Sequence, residues 1–177
     1  MHYNAFCTDL NESMISKTLK NLDWLQNFYL KSRKITNIDP TNLKFSATHG
    51  DATSHTWHSS PIFHAPIAAV VCETYLGPPL SNPPAQIKLT EIKQSCSSLI
   101  LAFLKNLSNQ ISVGTPVVLA VPAWLHPDGS YSSMNLLDSI TQMVYNVKNY
   151  QGLSQSDLLY HREGQVVARE IISLRKK

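Results

Sequence analysis

Cysteine and glycine are too sparse in this sequence to build the sites that they usually build. The three cysteines, Cys7, Cys72 and Cys96, lie far apart and form no CxxC pair. This spacing argues against a disulfide framework and against a thiolate metal site, and it favours a reducing compartment. The six glycines stand singly, at positions 50, 77, 114, 129, 152 and 164. The sequence therefore contains no GxGxG-like turn that could hold a cofactor through its backbone N–H groups.

Long apolar runs and a strong charge of one sign are also missing. No apolar stretch approaches the roughly 20 residues that cross a bilayer, and the N-terminus has no basic region followed by an apolar one. We therefore predict no membrane partner and no signal peptide, and we expect a cytoplasmic protein. The net charge is +3, with basic residues scattered apart from Arg175 to Lys177, which is compatible with nucleic acid without indicating it.

Histidine is concentrated in one segment, but its spacing does not indicate a metal site. His49, His55, His58 and His64 follow one another irregularly, and no thiolate or carboxylate repeats beside them. A polar loop explains the group more simply, so no metal is predicted.

What the sequence does have is an apolar content of 43% over 177 residues, enough for one domain with a core. Ile67 to Val71 is a continuous apolar run, which predicts a strand buried on both faces, as in a parallel sheet. Glu73, Tyr75 and a Gly77-Pro78-Pro79 turn follow it, and this turn cannot extend the strand. Ligands bind at the carboxyl ends of strands in open α/β sheets. The stretch is therefore predicted to end in a functional loop.

The remaining elements alternate along the chain. Apolar patterns predict helices from the N-cap residue Asn11 to about Lys31, from about Ala85 to Leu107, and from Met134 to Val147. Further strands are predicted at His2–Thr8, Leu43–Ala47, Val117–Val121, Asp157–His161 and Gln165–Leu174, with a loop at Pro122–Gly129. The order βα, β, βα, βα, ββ predicts a mostly parallel sheet with helices on both faces, closed by an antiparallel hairpin.

Four segments of the chain resemble known motifs. They are Thr8-Asp9-Leu10-Asn11 before a helix, Gly50-Asp51-Ala52, Glu73-Thr74-Tyr75-Leu76-Gly77-Pro78-Pro79, and the tail from Leu159 to Glu170. On these residues the chain resembles the Rossmann-like S-adenosylmethionine-dependent methyltransferases. More narrowly, it is similar to the RNA/DNA methylases related to the tRNA guanine-N2 methyltransferases of archaea and eukaryotes.

The resemblance implies three cofactor-binding residues. Asp9 would accept both hydroxyls of the ribose of S-adenosylmethionine, since it stands between a strand and a helix. Asp51 would accept the exocyclic amine of adenine, and Ala52 would donate its backbone N–H to the ring. The alternatives are a helix-capping aspartate at Asp9 and a turn aspartate at Asp51.

The resemblance also implies a catalytic pair, Glu73 and Tyr75. Methyl transfer to an exocyclic amine needs an acceptor for the N–H group and a flat surface for a displaced base. The usual order is Asp or Asn, two prolines, then Tyr or Phe, whereas here Thr74 follows the acid and the prolines come after Tyr75. Tyr75 and Trp124 would contact the substrate. The alternatives are a strand-ending glutamate on a solvated loop and a packing role for Trp124.

The family's first βα unit, with its glycine-rich turn, has no counterpart in the sequence. The predicted fold class is therefore α/β, a Rossmann-like class I methyltransferase sheet that is mostly parallel, ends in an antiparallel hairpin and is truncated at its N-terminus. Residues 1–177 would form one partial methyltransferase domain. The strands at His2–Thr8 and Ile67–Val71 would then flank a gap. Either these two strands close the gap by pairing directly, or an upstream segment or a partner chain fills it with the missing strand and turn.

The function implied is S-adenosylmethionine-dependent methylation of an exocyclic base amine in RNA, first of all guanine N2 of tRNA. Two alternatives remain open at this point. One is a DNA amino-methyltransferase, because the logic of the catalytic loop is shared. The other is a catalytically inactive module that binds RNA or a protein partner, which the absent glycine turn and the altered loop favour.

Overall fold

The structure, a computed structural model, describes residues 4–31, 44–57 and 66–177. By packing, the chain divides into two compact units, Met1–His64 and Ala65–Lys177. Both are mixed α/β, and the described strands include parallel and antiparallel pairs. The assignment of residues 1–177 to one domain stays a prediction. Along the part of the chain that the structure describes, no helix is long and apolar enough to cross a membrane.

The first unit is a strand–helix–strand motif. Strand β1 (Asn4–Asp9) leads into helix α1 (Glu12–Lys31), and strand β2 (Lys44–His49) pairs with β1 in parallel, with Asp9 opposite His49. The predicted N-cap is confirmed, because Oδ1 of Asn11 accepts the backbone N–H of Ser13 at 2.9 Å. His2 and Leu43, with which the two predicted strands begin, lie outside the described residues, as do His58 and His64.

The second unit is a six-stranded sheet with two helices in its connections. Its elements are β3 (Val70–Glu73), α2 (Gln86–Ser108), β4 (Pro116–Leu125), β5 (Tyr131–Ser132), α3 (Leu137–Thr141), β6 (Tyr145–Val147), a 3-10 helix (Gln155–Leu158), β7 (Leu159–Tyr160) and β8 (Val167–Lys176). The strand order is β3-β4-β8-β6, with β5 on β4 and β7 on β8.

The C-terminal hairpin is confirmed, but the mostly parallel sheet is wrong for the second unit. Only β3 and β4 pair in parallel among its described strands, and all the other pairs are antiparallel. The reason is the path of β8, which returns into the interior of the sheet and pairs with both β4 and β6. Strands β1 and β3 belong to two different sheets.

The core of the second unit lies between α2 and the sheet. The buried residues of α2 recur every three or four positions: Leu89, Ile92, Cys96, Ile100, Phe103, Leu104 and Leu107. This spacing places them on one face of the helix, as the sequence predicts. In β8 burial alternates with a period of two, through Ala168, Glu170, Ile172 and Leu174.

Three boundaries predicted from the sequence need correction. The apolar run Ile67–Val71 is a strand only from Val70, and Val71 is 83% exposed rather than buried. Strand β3 pairs on one edge only among the described strands, with β4. The predicted helix over Met134–Val147 is reduced to Leu137–Thr141 and is followed by β6. Pro122 to Leu125, predicted as loop, continue β4.

The cause of the short α3 is a tertiary contact. Tyr145 begins β6, is completely buried, and donates its hydroxyl to the carbonyl oxygen of Leu104 on α2 at 2.8 Å. A helix continuing through Tyr145 would give up both this bond and the pairing of Tyr145 with Lys176 on β8. Packing thus overrides the local helical pattern.

The basic residues at the end of the sequence are engaged with backbone carbonyl groups. The ammonium group of Lys176 donates to the carbonyls of Ser108 and Ile111, just where α2 ends. That of Lys177 donates to the carbonyls of Thr141 and Met143 at 2.9 and 3.1 Å, where α3 ends. Cations stabilise helix C-termini in this way. The cluster therefore has a structural role.

We expect Tyr145→Phe to lower the free energy of unfolding by about 1 kcal/mol, because the bond to Leu104 is lost while the ring still packs. Urea denaturation measures the difference. Tyr131→Phe is the matched control, since the Tyr131 hydroxyl lies 3.5 Å from the carbonyl of Gln165 in a half-buried position. Equal losses in the two variants would contradict the role given to the buried bond.

The same hydroxyl predicts a pH dependence of stability. Burial raises the pKa of Tyr145 from 10.0 to about 12. Its contribution to stability is then fully present below the unfolded pKa and is lost as the pH rises through the folded one. Between pH 10.0 and about 12, the wild-type chain should lose unfolding free energy more steeply than Tyr145→Phe. Denaturation curves at stepped pH that run parallel for the two proteins would refute this.

Candidate functional site

Two aspartates predicted from the sequence lie at one edge of the first unit. Asp9 is the last residue of β1, and Asp51 follows β2 by two residues. Parallel strands end at the same edge of a sheet, and the N–H of Gly50 donates to the carbonyl oxygen of Asp9 at 3.1 Å. The structure thus brings these two residues together.

Asp9 is exposed and only partly engaged. Its Oδ1 accepts the backbone N–H of Asn11 at 2.7 Å, whereas the helix itself is capped by Asn11. Asp9 is therefore not the N-cap of α1. Within the described ranges nothing donates to its second carboxylate oxygen, which leaves room for a hydroxyl donor. Its role toward a ribose stays a prediction.

Asp51 belongs to a tight turn. Its Oδ1 accepts both the backbone N–H and the hydroxyl of Thr53, at 2.8 and 2.7 Å. These bonds favour the ionised form and hold the pKa of Asp51 below its ordinary value. The interpretation of Asp51 as a turn aspartate is thus confirmed. The adenine contacts proposed for Asp51 and Ala52 stay predictions.

Sequence reasoning missed an aromatic cluster beside this turn. The His55 ring stacks on Phe6, with 6.2 Å between centroids, and meets Trp57 edge-on at 5.5 Å. A Cβ on Gly50 would lie 2.3 Å from Nδ1 of His55, so a side chain at this position would force the His55 ring to move. The only available signal was the mixture of glycine and aromatic residues directly after β2.

In the second unit, Glu73 ends β3 and is held by an arginine from a distant strand. Glu73 lies opposite Ala120 on β4, and Nε of Arg169 on β8 donates to its Oε1 at 2.9 Å. The Arg169 side chain crosses β4 to do so, a span of about 9.5 Å between the two flanking strands. Arg169 also donates through Nη1 to Oε1 of Gln165 and to the carbonyl of Val167, at 3.1 and 3.4 Å. Arg169 is thus the anchored member of the pair, and its side chain is 23% exposed against 58% for Glu73.

The residue between the two predicted catalytic groups fixes the loop. Thr74 is buried and donates both its N–H and its hydroxyl to the carbonyl of Ala120, at 3.0 and 3.1 Å. This anchor ties the loop to β4 at the residue that follows Glu73. Tyr75 follows with 49% of its surface exposed.

At Gly77 the loop packs closely against Ile92 of α2 and Trp124 of β4. Gly77 has a φ of +87°, and a Cβ there would lie 3.0 Å from Cγ2 of Ile92 and 3.9 Å from the Trp124 ring. Trp124 is fully buried in β4 rather than exposed on a loop, and no described group accepts a bond from its Nε1. Lys93 lies 5.9 Å from the centre of its ring. Trp124 therefore supports the loop by packing, and no base can stack on it in this conformation.

A cavity of about 320 Å³ opens beside this loop. It is lined by residues 76–80 of the loop, by residues 164–167 after β7, and by Arg169. Sequence reasoning matched the tail that contains Gln165 and Arg169 without giving it a chemical role. No three potential metal ligands come together in the described parts of the chain.

Comparison with known proteins gives similarity in structure only. No protein-family model matches the chain, and no curated protein matches it in sequence. Three crystal structures cover 97% of the chain: an rRNA methylase from Streptococcus thermophilus (13% identity, TM-score 0.44), TrmN from Thermus thermophilus (18%, 0.45) and a candidate methyltransferase from Streptococcus mutans in complex with SAH (17%, 0.45). The chain spans 72%, 36% and 75% of their respective lengths. Because these TM-scores lie below 0.5, a function has to be inferred from the residues of the chain itself.

We expect Gly77→Ala to destabilise the second unit by more than Gly114→Ala does. Both glycines have a positive φ, +87° and +83°, which costs an L-residue roughly 1–2 kcal/mol. At Gly77 the new methyl group would also press on Ile92, whereas nothing lies within 4 Å of a Cβ at Gly114. Thermal and urea denaturation of both variants measure the difference, and equal destabilisation would show that the loop is not seated on α2.

Proposed function

We propose that the chain is an S-adenosylmethionine-dependent methyltransferase that acts on an exocyclic base amine in RNA, and specifically on guanine N2 of tRNA. The observation that carries the proposal is the Glu73–Arg169 pair at the carboxyl end of β3, with the exposed ring of Tyr75 two residues further on. A carboxylate held by an anchored arginine beside an accessible aromatic ring suits amine methylation, which needs a proton acceptor and a surface for the base. The resemblance of the surrounding motif to the methyltransferases agrees with this chemistry.

In the proposed reaction, Glu73 orients the amine and receives its proton. One carboxylate oxygen is held by Arg169, so the other is left to accept an N–H of the base. When the amine nitrogen gains a methyl group it becomes positively charged, and loss of a proton to Glu73 restores the neutral amine. Tyr75 provides a face on which a displaced base stacks. S-adenosylmethionine supplies the methyl group when bound and leaves as S-adenosylhomocysteine.

The edge of the first unit suits the adenosine part of that cofactor. Asp9 has a carboxylate oxygen available for ribose hydroxyls, and Asp51 with Ala52 would bind adenine. The half-buried Trp57 and His55 give a nearby apolar surface. The isolated glycines leave the methionine part without a glycine-rich turn. In this proposal an upstream segment or a partner chain supplies that turn and its strand.

A second candidate is a module that binds RNA or a protein partner without catalysis. It is favoured by the sequence Glu73-Thr74-Tyr75, in which a hydrogen-bonded threonine replaces the proline of the family pattern. DNA amino-methylation is the enzymatic alternative, because Glu73 and Tyr75 would act identically on a displaced DNA base.

The test is transfer of a tritiated methyl group from S-adenosylmethionine to tRNA and to duplex DNA. It is run with the 177-residue chain and with a version extended at its N-terminus by the sequence encoded upstream. We expect label in tRNA, recovered as N2-methylguanosine, and a loss of roughly 100-fold or more in Glu73→Gln, since a proton acceptor is removed.

Glu91→Gln is the matched control. Glu91 is also an exposed glutamate in an ion pair, 3.0 Å from Lys88. The Glu91→Gln variant removes the same charge at a position away from the loop, so the rate of methyl transfer should stay unchanged. Label in DNA alone would favour the DNA enzyme. Binding of RNA without transfer to either substrate would favour the inactive module.

A further inference from the structure

The cavity beside the loop shares Arg169 with the proposed proton transfer, but the proposed reaction places no ligand in it. Its volume of about 320 Å³ lies between residues 76–80 and residues 164–167, with Arg169 on its wall. This is the lower end of the roughly 300–1,000 Å³ that ligand sites occupy.

The lining combines flat apolar surface with one charged group. Pro78 and Pro79 are exposed, Leu80 and Val167 are half-buried, and Arg169 is the only charged residue of the lining. Proline rings and aliphatic side chains provide a surface against which a base can pack. A guanidinium group is well suited to bind a phosphate oxygen. The two features together match the two parts of a nucleotide.

Arg169 is also fixed in position before any ligand arrives. Its Nε bonds to Glu73 and its Nη1 to Gln165 and Val167, while no residue in the described ranges accepts a bond from Nη2. A side chain already held at two nitrogens loses little entropy when its third nitrogen binds a ligand. Glu73 accepts a hydrogen bond from only one nitrogen of Arg169, so N–H groups of the guanidinium remain for a phosphate oxygen.

We propose that this cavity binds one nucleotide of a single strand, with its base against Pro78 and Pro79 and a phosphate oxygen on Nη2 of Arg169. The inference rests on the proposed function, which makes the strand RNA and the nucleotide a neighbour of the target base. The C-terminal tail thereby gains a role that its sequence alone does not suggest.

The test is fluorescence anisotropy with a fluorescein-labelled single-stranded oligoribonucleotide and no S-adenosylmethionine. Arg169→Gln is expected to weaken binding roughly tenfold. It should also reduce the slope of log affinity against log salt by about 0.7, the value for one phosphate contact in a single strand. No measurable binding by the wild-type chain, or unchanged binding by Arg169→Gln, would overturn the inference.

Arg175→Gln is the matched control. Arg175 lies on the same strand, is exposed, and bonds to the carbonyl of Gly114 at 2.8 Å, so the variant removes the same charge at the other end of β8. Its affinity should stay close to that of the wild type. Equal weakening in both variants would mean that net charge alone governs binding, and the cavity assignment would fail. Circular dichroism establishes that both variants are folded.

A second measurement locates the strand on the wild-type chain. Photocrosslinking with a 4-thiouridine oligoribonucleotide, followed by mass spectrometry, should mark peptides containing residues 76–80 or 164–169. Crosslinks confined to other peptides would overturn the inference. Crosslinks here, with no methyl transfer even by the N-terminally extended chain, would leave this site standing and defeat the proposed function. Methyl transfer together with crosslinks confined to other peptides would support the proposed function and overturn this inference.

Discussion

The insertion of β8 between β4 and β6 is the constraint on which the second unit depends. Nine consecutive residues of β4, Pro116 to Trp124, pair with β8, and β6 pairs with its other edge. Without β8 the long apolar strand β4 would expose a row of unpaired backbone groups. Because β8 is the last strand in the chain order, the sheet closes through contacts between residues far apart in sequence, which slows folding.

The same insertion creates the candidate site. Arg169 reaches Glu73, 96 residues away in sequence, only because β8 runs antiparallel beside β4 and turns its start toward the carboxyl end of β3. Thr74 and Gly77 then seat the loop on β4 and α2. The position of Glu73 is thus set by three separate elements of the fold, while its own side chain remains accessible.

The sequence predicted what depends on local periodicity. The three-and-four spacing found α1 and α2, Asn11 marked a helix start, and the turn at Gly164 marked the hairpin. The predicted secondary structure was wrong where contacts between residues distant in sequence determine it. Tyr145 becomes a strand residue through its bond to Leu104, and Trp124 is drawn into β4 by pairing with Val167. The resemblance to the methyltransferases singled out Asp9, Asp51, Glu73 and Tyr75, and their roles stay predictions. It gave no role to Arg169 or His55, because the partners of these two residues are set by strand order and loop packing.

The three tryptophans occupy three different environments, which has a spectroscopic consequence. Trp24 lies exposed on α1, Trp57 is half-buried against His55, and Trp124 is sealed beneath Gly77 with Lys93 near its ring. An indole without water contact emits at shorter wavelength than an exposed one, and a nearby ammonium group alters its quantum yield. With Trp24 and Trp57 replaced by phenylalanine, the remaining emission would come from directly under the loop that carries Glu73 and Tyr75. The chain therefore contains its own optical reporter of how that loop is seated.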